Sequence, residues 1–317
     1  MNIVLLEPLG IPQETLEQLS SKLEGMGHRF IAYNKVETDM EMQKEKVRDA
    51  DILIIANHPL RGEVIRAAKK LKYISIAFTG YDHIDQRTCR ELGIQVSNAQ
   101  GYATEAVAEL AVSMMITLLR NVVECNEVVR RQGTKAGLVG NELNGRTIGI
   151  VGTGAIGLRT AEILKVFHCK LLGYSRSEAP KALDLGIEYV SLEELLQKSD
   201  IVSLHLPLTE DTQGLISRDK IALMKENSIL INTARGPIVD SMALADALNS
   251  GRIAGAGIDV FETEPPIPLD HPLFHSKNTL VTPHIAFATQ ESMVKRAKIV
   301  FDNVISWLDG EPQNLVI

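Results

Sequence analysis

The chain has 317 residues, 45% hydrophobic and 23% charged, with 40 acidic side chains against 33 Lys and Arg for a net charge of −7. That length exceeds the comfortable size of one hydrophobic core, so two domains are expected. A mildly acidic chain without basic runs argues against nucleic acid as the main partner, and no apolar run reaches membrane-spanning length, so no membrane partner is expected.

The start, Met1 to Glu7, lacks the basic region and cleavage pattern of a signal peptide and reads as a buried strand. Further strands are predicted at Phe30–Tyr33, Asp51–Ile55, Tyr73–Phe78 and Ile94–Ser97 after a first at Ile3–Leu6, with helical patterns such as Gln13–Met26 and Gly62–Lys70 between them. Strand–helix alternation of this kind predicts a parallel, doubly wound sheet. The scattered cysteines Cys89, Cys125 and Cys169 have no metal-ligand spacing; they suit buried thiols in a reducing cytoplasm, and no metal site is expected. A long helical run, Thr104–Arg120, leads to a Gly-rich irregular stretch, Gln132–Gly145. That stretch reads either as an arm at an oligomer contact or as a surface loop.

A second strand–helix series begins at Thr147, with strands at Thr147–Val151, Lys170–Tyr174, Ile201–Leu204, Ile229–Asn232, Ile253–Ile258 and Thr279–Val281. Its first strand runs into Gly152-Thr153-Gly154-Ala155-Ile156-Gly157, and a helical pattern, Ala155–Phe167, follows. This is G-x-G-x-x-G in the strand-to-helix context that gives it meaning as a dinucleotide-binding turn. Gly152 permits the tight turn, Gly154 keeps side-chain atoms away from a pyrophosphate, and Gly157 lets the helix lie close to the strand. The helix N-terminus then offers free N–H groups to the phosphates.

Roughly 20 residues past the glycines, a dinucleotide-binding fold usually places Asp or Glu on the ribose 2′-hydroxyl. Here the strand Lys170–Tyr174 ends in Ser175-Arg176-Ser177. Arg176 matches a 2′-phosphate, with the two hydroxyls beside it, so NADP(H) is the expected cofactor and NAD(H) a possible one. The alternative for Arg176 is a solvated surface cation. Because the fingerprint lies mid-chain, the dinucleotide domain is expected to be inserted, over residues 100–287. Residues 1–99 with 288–317 then form the other domain, joined through hinges near Asn98–Thr104 and Ala286–Gln290, with the last helix, Gln290–Leu308, returning to it.

Three further segments follow strands of the second series, at the carboxyl ends where open α/β sheets bind ligands. Asn232-Thr233-Ala234-Arg235-Gly236 places Arg235 where the chain leaves the sheet, and a guanidinium fork matches the carboxylate of a 2-oxo acid. Asp259 to Pro266 contains Glu264 directly before two prolines, and Thr282 to Thr289 contains His284. Reducing a 2-oxo acid needs a hydride donor, a cation to anchor the carboxylate and polarise the carbonyl, and an acid for the new alkoxide. His284 suits the acid, a carboxylate at Glu264 would favour its imidazolium, and Arg235 suits the anchor. Each also has an ordinary structural reading, as a surface ion pair, a turn residue and a packed histidine.

Taken together these stretches resemble the D-isomer-specific 2-hydroxyacid dehydrogenases along essentially the whole chain. The matching segments are Phe78 to Asp85, Ala106 to Leu110, Gly152 to Gly157, His205 to Thr209, Asn232 to Asp240, Gly257 to Pro265 and Thr282 to Thr289. The resemblance implies a flavodoxin-like substrate domain and an inserted Rossmann domain. It implies that Arg235, Glu264 and His284 are the catalytic Arg, Glu and His, and that backbone N–H groups near Thr79, Gly80 and Tyr81 hold the substrate carboxylate. It puts Asp259 on the nicotinamide carboxamide and Thr104, His205, Pro207, Thr212, Thr233 and Ala234 along the cofactor. It also implies a homodimer built through the dinucleotide domain.

Within the family, the segments Ala254 to Asp259 and Thr282 to Thr289 look most like hydroxypyruvate and glyoxylate reductases, and Ser175-Arg176-Ser177 resembles their NADPH-using members. Phe287 stands where those enzymes often carry Trp, and either lines the substrate pocket or packs beside it. Formate dehydrogenases of the family lack the Glu partner of the His, so Glu264 points to a small 2-oxo or 2-hydroxy acid as the ligand. The alternatives are a D-lactate or hydroxyphenylpyruvate type of dehydrogenase, and a dinucleotide-sensing module like the corepressors that share this fold.

Overall fold

Twelve parallel strands, alternating with helices, make two separate sheets in a computed structural model that describes all 317 residues. In chain order the first series is β1 (Asn2–Leu5), α1 (Gln13–Gly25), β2 (Arg29–Ala32), α2 (Met40–Val47), β3 (Ile52–Ile55), α3 (Gly62–Ala67), β4 (Tyr73–Ile76), α4 (Gln86–Leu92) and β5 (Gln95–Asn98). Two helices, α5 (Thr104–Leu119) and α6 (Val122–Arg130), lead to the second series. It comprises β6 (Thr147–Val151), α7 (Ala155–Val166), β7 (Lys170–Tyr174), α8 (Pro180–Asp184), β8 (Glu188–Tyr189), α9 (Leu192–Lys198), β9 (Ile201–Leu204), α10 (Arg218–Leu223), β10 (Ile229–Asn232), α11 (Ser241–Asn249), β11 (Gly255–Ile258) and β12 (Thr279–Val281), before the final α12 (Gln290–Leu308).

The chain divides into Met1–Ala103 with Ala288–Ile317, and Thr104–Phe287. The first boundary lies four residues beyond the expected 99/100. The reason is local: Tyr102 is buried with its ring edge against Phe78, and the Gly101 carbonyl accepts from Lys295, so residues 100–103 stay with the first unit.

In the first unit the strands run β2-β1-β3-β4-β5, the flavodoxin-like order. Ile52–Ile55 and Tyr73–Ile76 are buried throughout, as expected of strands covered on both faces. The return of α12 is fixed by aromatic and polar contacts to this sheet. Trp307 stacks on Tyr73 at 5.0 Å, and Ser75 donates to the Val300 carbonyl. The predicted strand Tyr73–Phe78 ends at Ile76, where the chain leaves the sheet toward the loop carrying Thr79.

In the second unit the order is β12-β11-β10-β9-β6-β7-β8, which reads 7-6-5-4-1-2-3 from β6. This is the doubly wound dinucleotide-binding arrangement with one strand added, and its order reverses between β6 and β9. Helix α5 packs against α7, β10 and β11. A Cβ at Gly257 would come within 3.1 Å of Met114, so the bare backbone of β11 lets α5 approach. The two-residue β8 and the helix α6 have no counterpart in the sequence reading. The predicted Ile253–Ile258 strand starts only at Gly255. No single helix is long and apolar enough to cross a membrane.

Candidate active site

The fingerprint turn has the shape its glycines require. Gly152 has φ +101°, a left-handed backbone that favours glycine, and a Cβ there would lie 2.6 Å from the His205 carbonyl oxygen. A Cβ at Gly157 would lie 2.0 Å from the Gly152 carbonyl oxygen, so the first turn of α7 sits directly on the turn that precedes it. Gly154, the N-cap of α7, is exposed with nothing within 4 Å of its Cβ position and no side chain capping the helix. The open first-turn N–H groups, at Ala155 and Ile156 among others, therefore face space that a side chain would fill and a pyrophosphate would suit.

Two buried polar atoms at neighbouring strand ends also lack a partner. His205, after β9, shares Nε2 with the Ser203 hydroxyl at 2.9 Å, while its enclosed Nδ1 has no hydrogen bond. Thr233, after β10, has an unbonded buried hydroxyl. Burial pushes the His205 imidazole down to about 4, so the ring is neutral near pH 7. Unsatisfied buried groups are costly, and these two could take a polar ligand as partner. Thr212, by contrast, is engaged within its own turn, donating to the Pro207 carbonyl at 2.7 Å and accepting from the Thr209 N–H. Thr104 is the first residue of α5. Ser175 is half-buried; Arg176 and Ser177 are exposed, and exposed Glu178 follows them in the same loop.

The three catalytic candidates leave the sheet from adjacent strands. Arg235 follows β10, Glu264 follows β11 and His284 follows β12, and these strands are neighbours in the sheet. The Asn232 side chain shapes the first loop, accepting from the Ala234 N–H and donating to the Arg235 carbonyl. A Cβ on Gly236 would lie 2.0 Å from the Phe261 backbone, so only glycine lets the Arg235 loop pass so close to the loop after β11. His284 Nδ1 meets both Glu264 carboxylate oxygens at 2.9 Å. The histidine sits at φ +57°, an uncommon conformation for a residue with a Cβ. Its N–H donates to the Asp259 carbonyl at 2.8 Å, and the Phe287 ring lies edge-on to the imidazole at 5.4 Å.

Asp259 is fully buried, and its carboxylate accepts from Thr282 Oγ1 (2.6 Å) and from the Ile285 and Ala286 N–H groups. Burial raises its pKa above the usual carboxylate range, against the pull of those three bonds toward the ionised form. It therefore organises the His284 loop, a role the sequence reading did not assign. Of the roughly four acceptor sites on a carboxylate, the chain fills three.

Thr79, Gly80 and Tyr81 lie in the first unit, in the loop after β4. The loop rests on a buried charge the sequence reading missed. Arg296 of α12, 2% exposed, stacks its guanidinium 4.8 Å from the Phe78 ring centroid and donates to the Leu9 carbonyl. Buried Glu7 accepts from the Ala56 and His58 N–H groups, and the Asn98 amide donates to the Thr79 carbonyl at 2.7 Å. A charged residue on an apolar helix face was the available signal. No cluster of His, Cys, Asp or Glu suits a metal ion.

Residues 112–286 match the model of the D-isomer specific 2-hydroxyacid dehydrogenase NAD binding domain. The chain belongs to the D-isomer-specific 2-hydroxyacid dehydrogenases. Family members similar to it include a protein named glyoxylate reductase from Korarchaeum cryptofilum, 42% identical over 316 residues that cover 96% of this chain and 94% of that one. Another is a protein named hydroxypyruvate reductase from Blautia hydrogenotrophica, 35% identical over 303 residues and covering 93% of each chain. Among solved structures, an acyclic imino acid reductase in complex with NADPH and D-Arg superposes with a TM-score of 0.90 at 29% identity, over the full length of both chains. As a D-2-hydroxyacid dehydrogenase the chain is an oxidoreductase acting on CH–OH donors with a nicotinamide dinucleotide.

Proposed function

We propose that this dehydrogenase reduces a small 2-oxo acid, hydroxypyruvate or glyoxylate, to the D-2-hydroxy acid with NADPH in preference to NADH. The observation that carries the reading is the His284–Glu264 pair, 2.9 Å from nitrogen to both oxygens, with Glu264 after β11 and with Arg235 and His284 after the strands on either side of it, β10 and β12. The names of the relatives from Korarchaeum and Blautia support the substrate class.

The residues act as follows. Glu264 binds Nδ1 and so fixes the imidazole, leaving Nε2 of His284 to give its proton to the C2 oxygen as that oxygen gains charge. Arg235 presents a planar donor fork to the substrate carboxylate and carbonyl, and stabilises the developing alkoxide. Backbone N–H groups of Thr79, Gly80 and Tyr81 are the proposed carboxylate donors, and Phe287 the apolar neighbour of the acid. Gly152, Gly154, Ala155, Ile156 and Gly157 would hold the pyrophosphate, and Ser175, Arg176 and Ser177 the 2′-phosphate. Thr104, His205, Pro207, Thr212, Thr233, Ala234 and Asp259 would line the rest. When bound, the reduced dinucleotide supplies a hydride to C2; with the proton from His284 the 2-hydroxy acid and oxidised dinucleotide result.

A homodimer through the dinucleotide unit completes the reading. Helix α6 buries none of its residues, and Val122, Val123 and Val129 on it are exposed.

The test is dinucleotide oxidation, followed by absorbance, with hydroxypyruvate, glyoxylate, pyruvate and 4-hydroxyphenylpyruvate, each with NADPH and NADH. The highest kcat/KM is expected for hydroxypyruvate or glyoxylate with NADPH. Best turnover of either other acid would overturn the substrate assignment, and equal efficiency with NADH the cofactor assignment.

A further inference from the structure

One side chain outside every site described so far joins the fingerprint turn to the loop that carries Arg176. Tyr189 lies on β8, the short edge strand beside β7. Its hydroxyl is 2.7 Å from Thr153 Oγ1, and the Ala179 N–H donates to the same oxygen at 3.0 Å. Thr153 is the buried residue between Gly152 and Gly154 of the fingerprint. Ala179 is the N-cap of α8 and closes the five-residue loop, 175–179, that holds Ser175, Arg176 and Ser177.

The reach of this side chain is built into the sheet. Tyr189 pairs with Gly173 of β7. A Cβ at Gly173 would lie 2.6 Å from Ile187 Cγ2 and in ordinary contact, at 3.4 and 3.5 Å, with Thr153 Cγ2 and Tyr189 Cδ1, so Thr153 and Tyr189 lie over the same bare stretch of strand that Ile187 covers. The phenol oxygen can accept one N–H and still share a proton with Thr153, so a single atom satisfies both partners. Without it, the Ala179 N–H and Thr153 hydroxyl lose this shared partner, and the loop that carries exposed Arg176 loses its hydrogen-bonded tie to the fingerprint turn at Ala179.

We infer that Tyr189 is a positioning residue for dinucleotide discrimination: its hydroxyl locks the Ser175–Ala179 loop to the phosphate-binding turn, and so fixes Arg176 relative to the ribose 2′ position. The inference rests on the reading that this loop meets the ribose. A dinucleotide carrying a 2′-phosphate engages Arg176 and feels the lock, whereas one with a free 2′-hydroxyl draws little from that side chain. A residue that merely stabilised the fold would alter both affinities in parallel.

The experiment is to measure Kd for NADPH and for NADH by fluorescence titration of the wild type, Tyr189→Phe and Arg176→Ala. Tyr189→Phe keeps the ring and removes one oxygen. Loss of one hydrogen-bonding group should weaken NADPH about 5-fold and NADH much less, so the NADH-to-NADPH ratio of Kd falls. An unchanged ratio in Tyr189→Phe overturns the inference, whatever the wild type prefers. Arg176→Ala decides the underlying reading separately: it should weaken NADPH selectively, and equal effects on both dinucleotides would remove Arg176 from the 2′ position. If Tyr189→Phe is too unstable to titrate, Thr153→Val, which breaks the same link from the other side, must lower the ratio in the same direction; an unchanged ratio there counts equally against the lock.

Discussion

His284 owes its position chiefly to two carboxylate residues, Asp259 and Glu264. Left-handed backbone at a residue with a Cβ costs about 1–3 kcal/mol and persists where the surroundings over-determine it. Here the Asp259 carboxylate gathers Thr282, Ile285 and Ala286, its carbonyl accepts the His284 N–H, and Glu264 fixes the ring. Arg235 is the proposed complementary cation, and the proposed role differs from that of a point charge. Arg235→Ala should raise KM for the oxo acid and lower kcat together, with about a 100-fold or larger loss in kcat, because the fork serves both ground and transition states. Arg235→Lys should recover little, since an ammonium cannot reproduce the bidentate geometry. Steady-state kinetics check this, and unchanged constants in Arg235→Ala would exclude the residue from the site. That Arg235, Glu264 and His284 each follow a strand of the second sheet was legible in the sequence, and their proposed roles were read from that placement and from the family resemblance. The Asp259 scaffold was not, because its three donors lie more than twenty positions along the chain and only the folded loop brings them to it.

Strands carry the site because their ends converge, and the glycines set how closely those ends approach. Buried parallel strands are continuous apolar runs, which is why β6, β7, β9 and β10 were readable to the residue. Two-residue β8 has no such run, and the nine-residue α6 is short and buries none of its residues in this chain. Gly236 was invisible as a functional position until the Phe261 backbone was found against it. Likewise, the burial of Arg296 has no local cause in the sequence, since it follows from the return of α12 over the first sheet. At the end of β9, His205 makes a prediction about acid. Its folded pKa, about 4, is depressed from the ordinary 6.5 by burial. The unfolded chain therefore binds the proton first as pH falls. The stabilising contribution is full above about pH 6.5 and is lost as pH drops toward 4, amounting to at most about 3 kcal/mol. Urea unfolding at pH 7 and pH 4.5 should show a smaller loss of stability in His205→Gln than in the wild type; an equal loss would mean the imidazole does not contribute.

The whole chain is two doubly wound sheets with the second inserted into the first, and the mid-chain fingerprint announced that insertion. The position of the first boundary was not announced, because Tyr102 packs with the unit it is about to leave. The unsatisfied apolar face of α6 leads to a prediction about assembly. Wild-type protein should sediment as a dimer, and Val123→Lys with Val129→Lys should shift it to monomer, since charged side chains are excluded from the centre of such interfaces. A wild-type monomer would contradict the proposed homodimer.

Proton delivery by His284 is the claim on which the account depends, and His284→Ala tests it most directly. The measurement is kcat for hydroxypyruvate at saturating NADPH, together with Kd for NADPH in the same variant. The account predicts a fall in kcat of about 10²–10⁴-fold with NADPH binding retained. Turnover near the wild-type rate would contradict it, and would return His284 to the role of a packed loop residue.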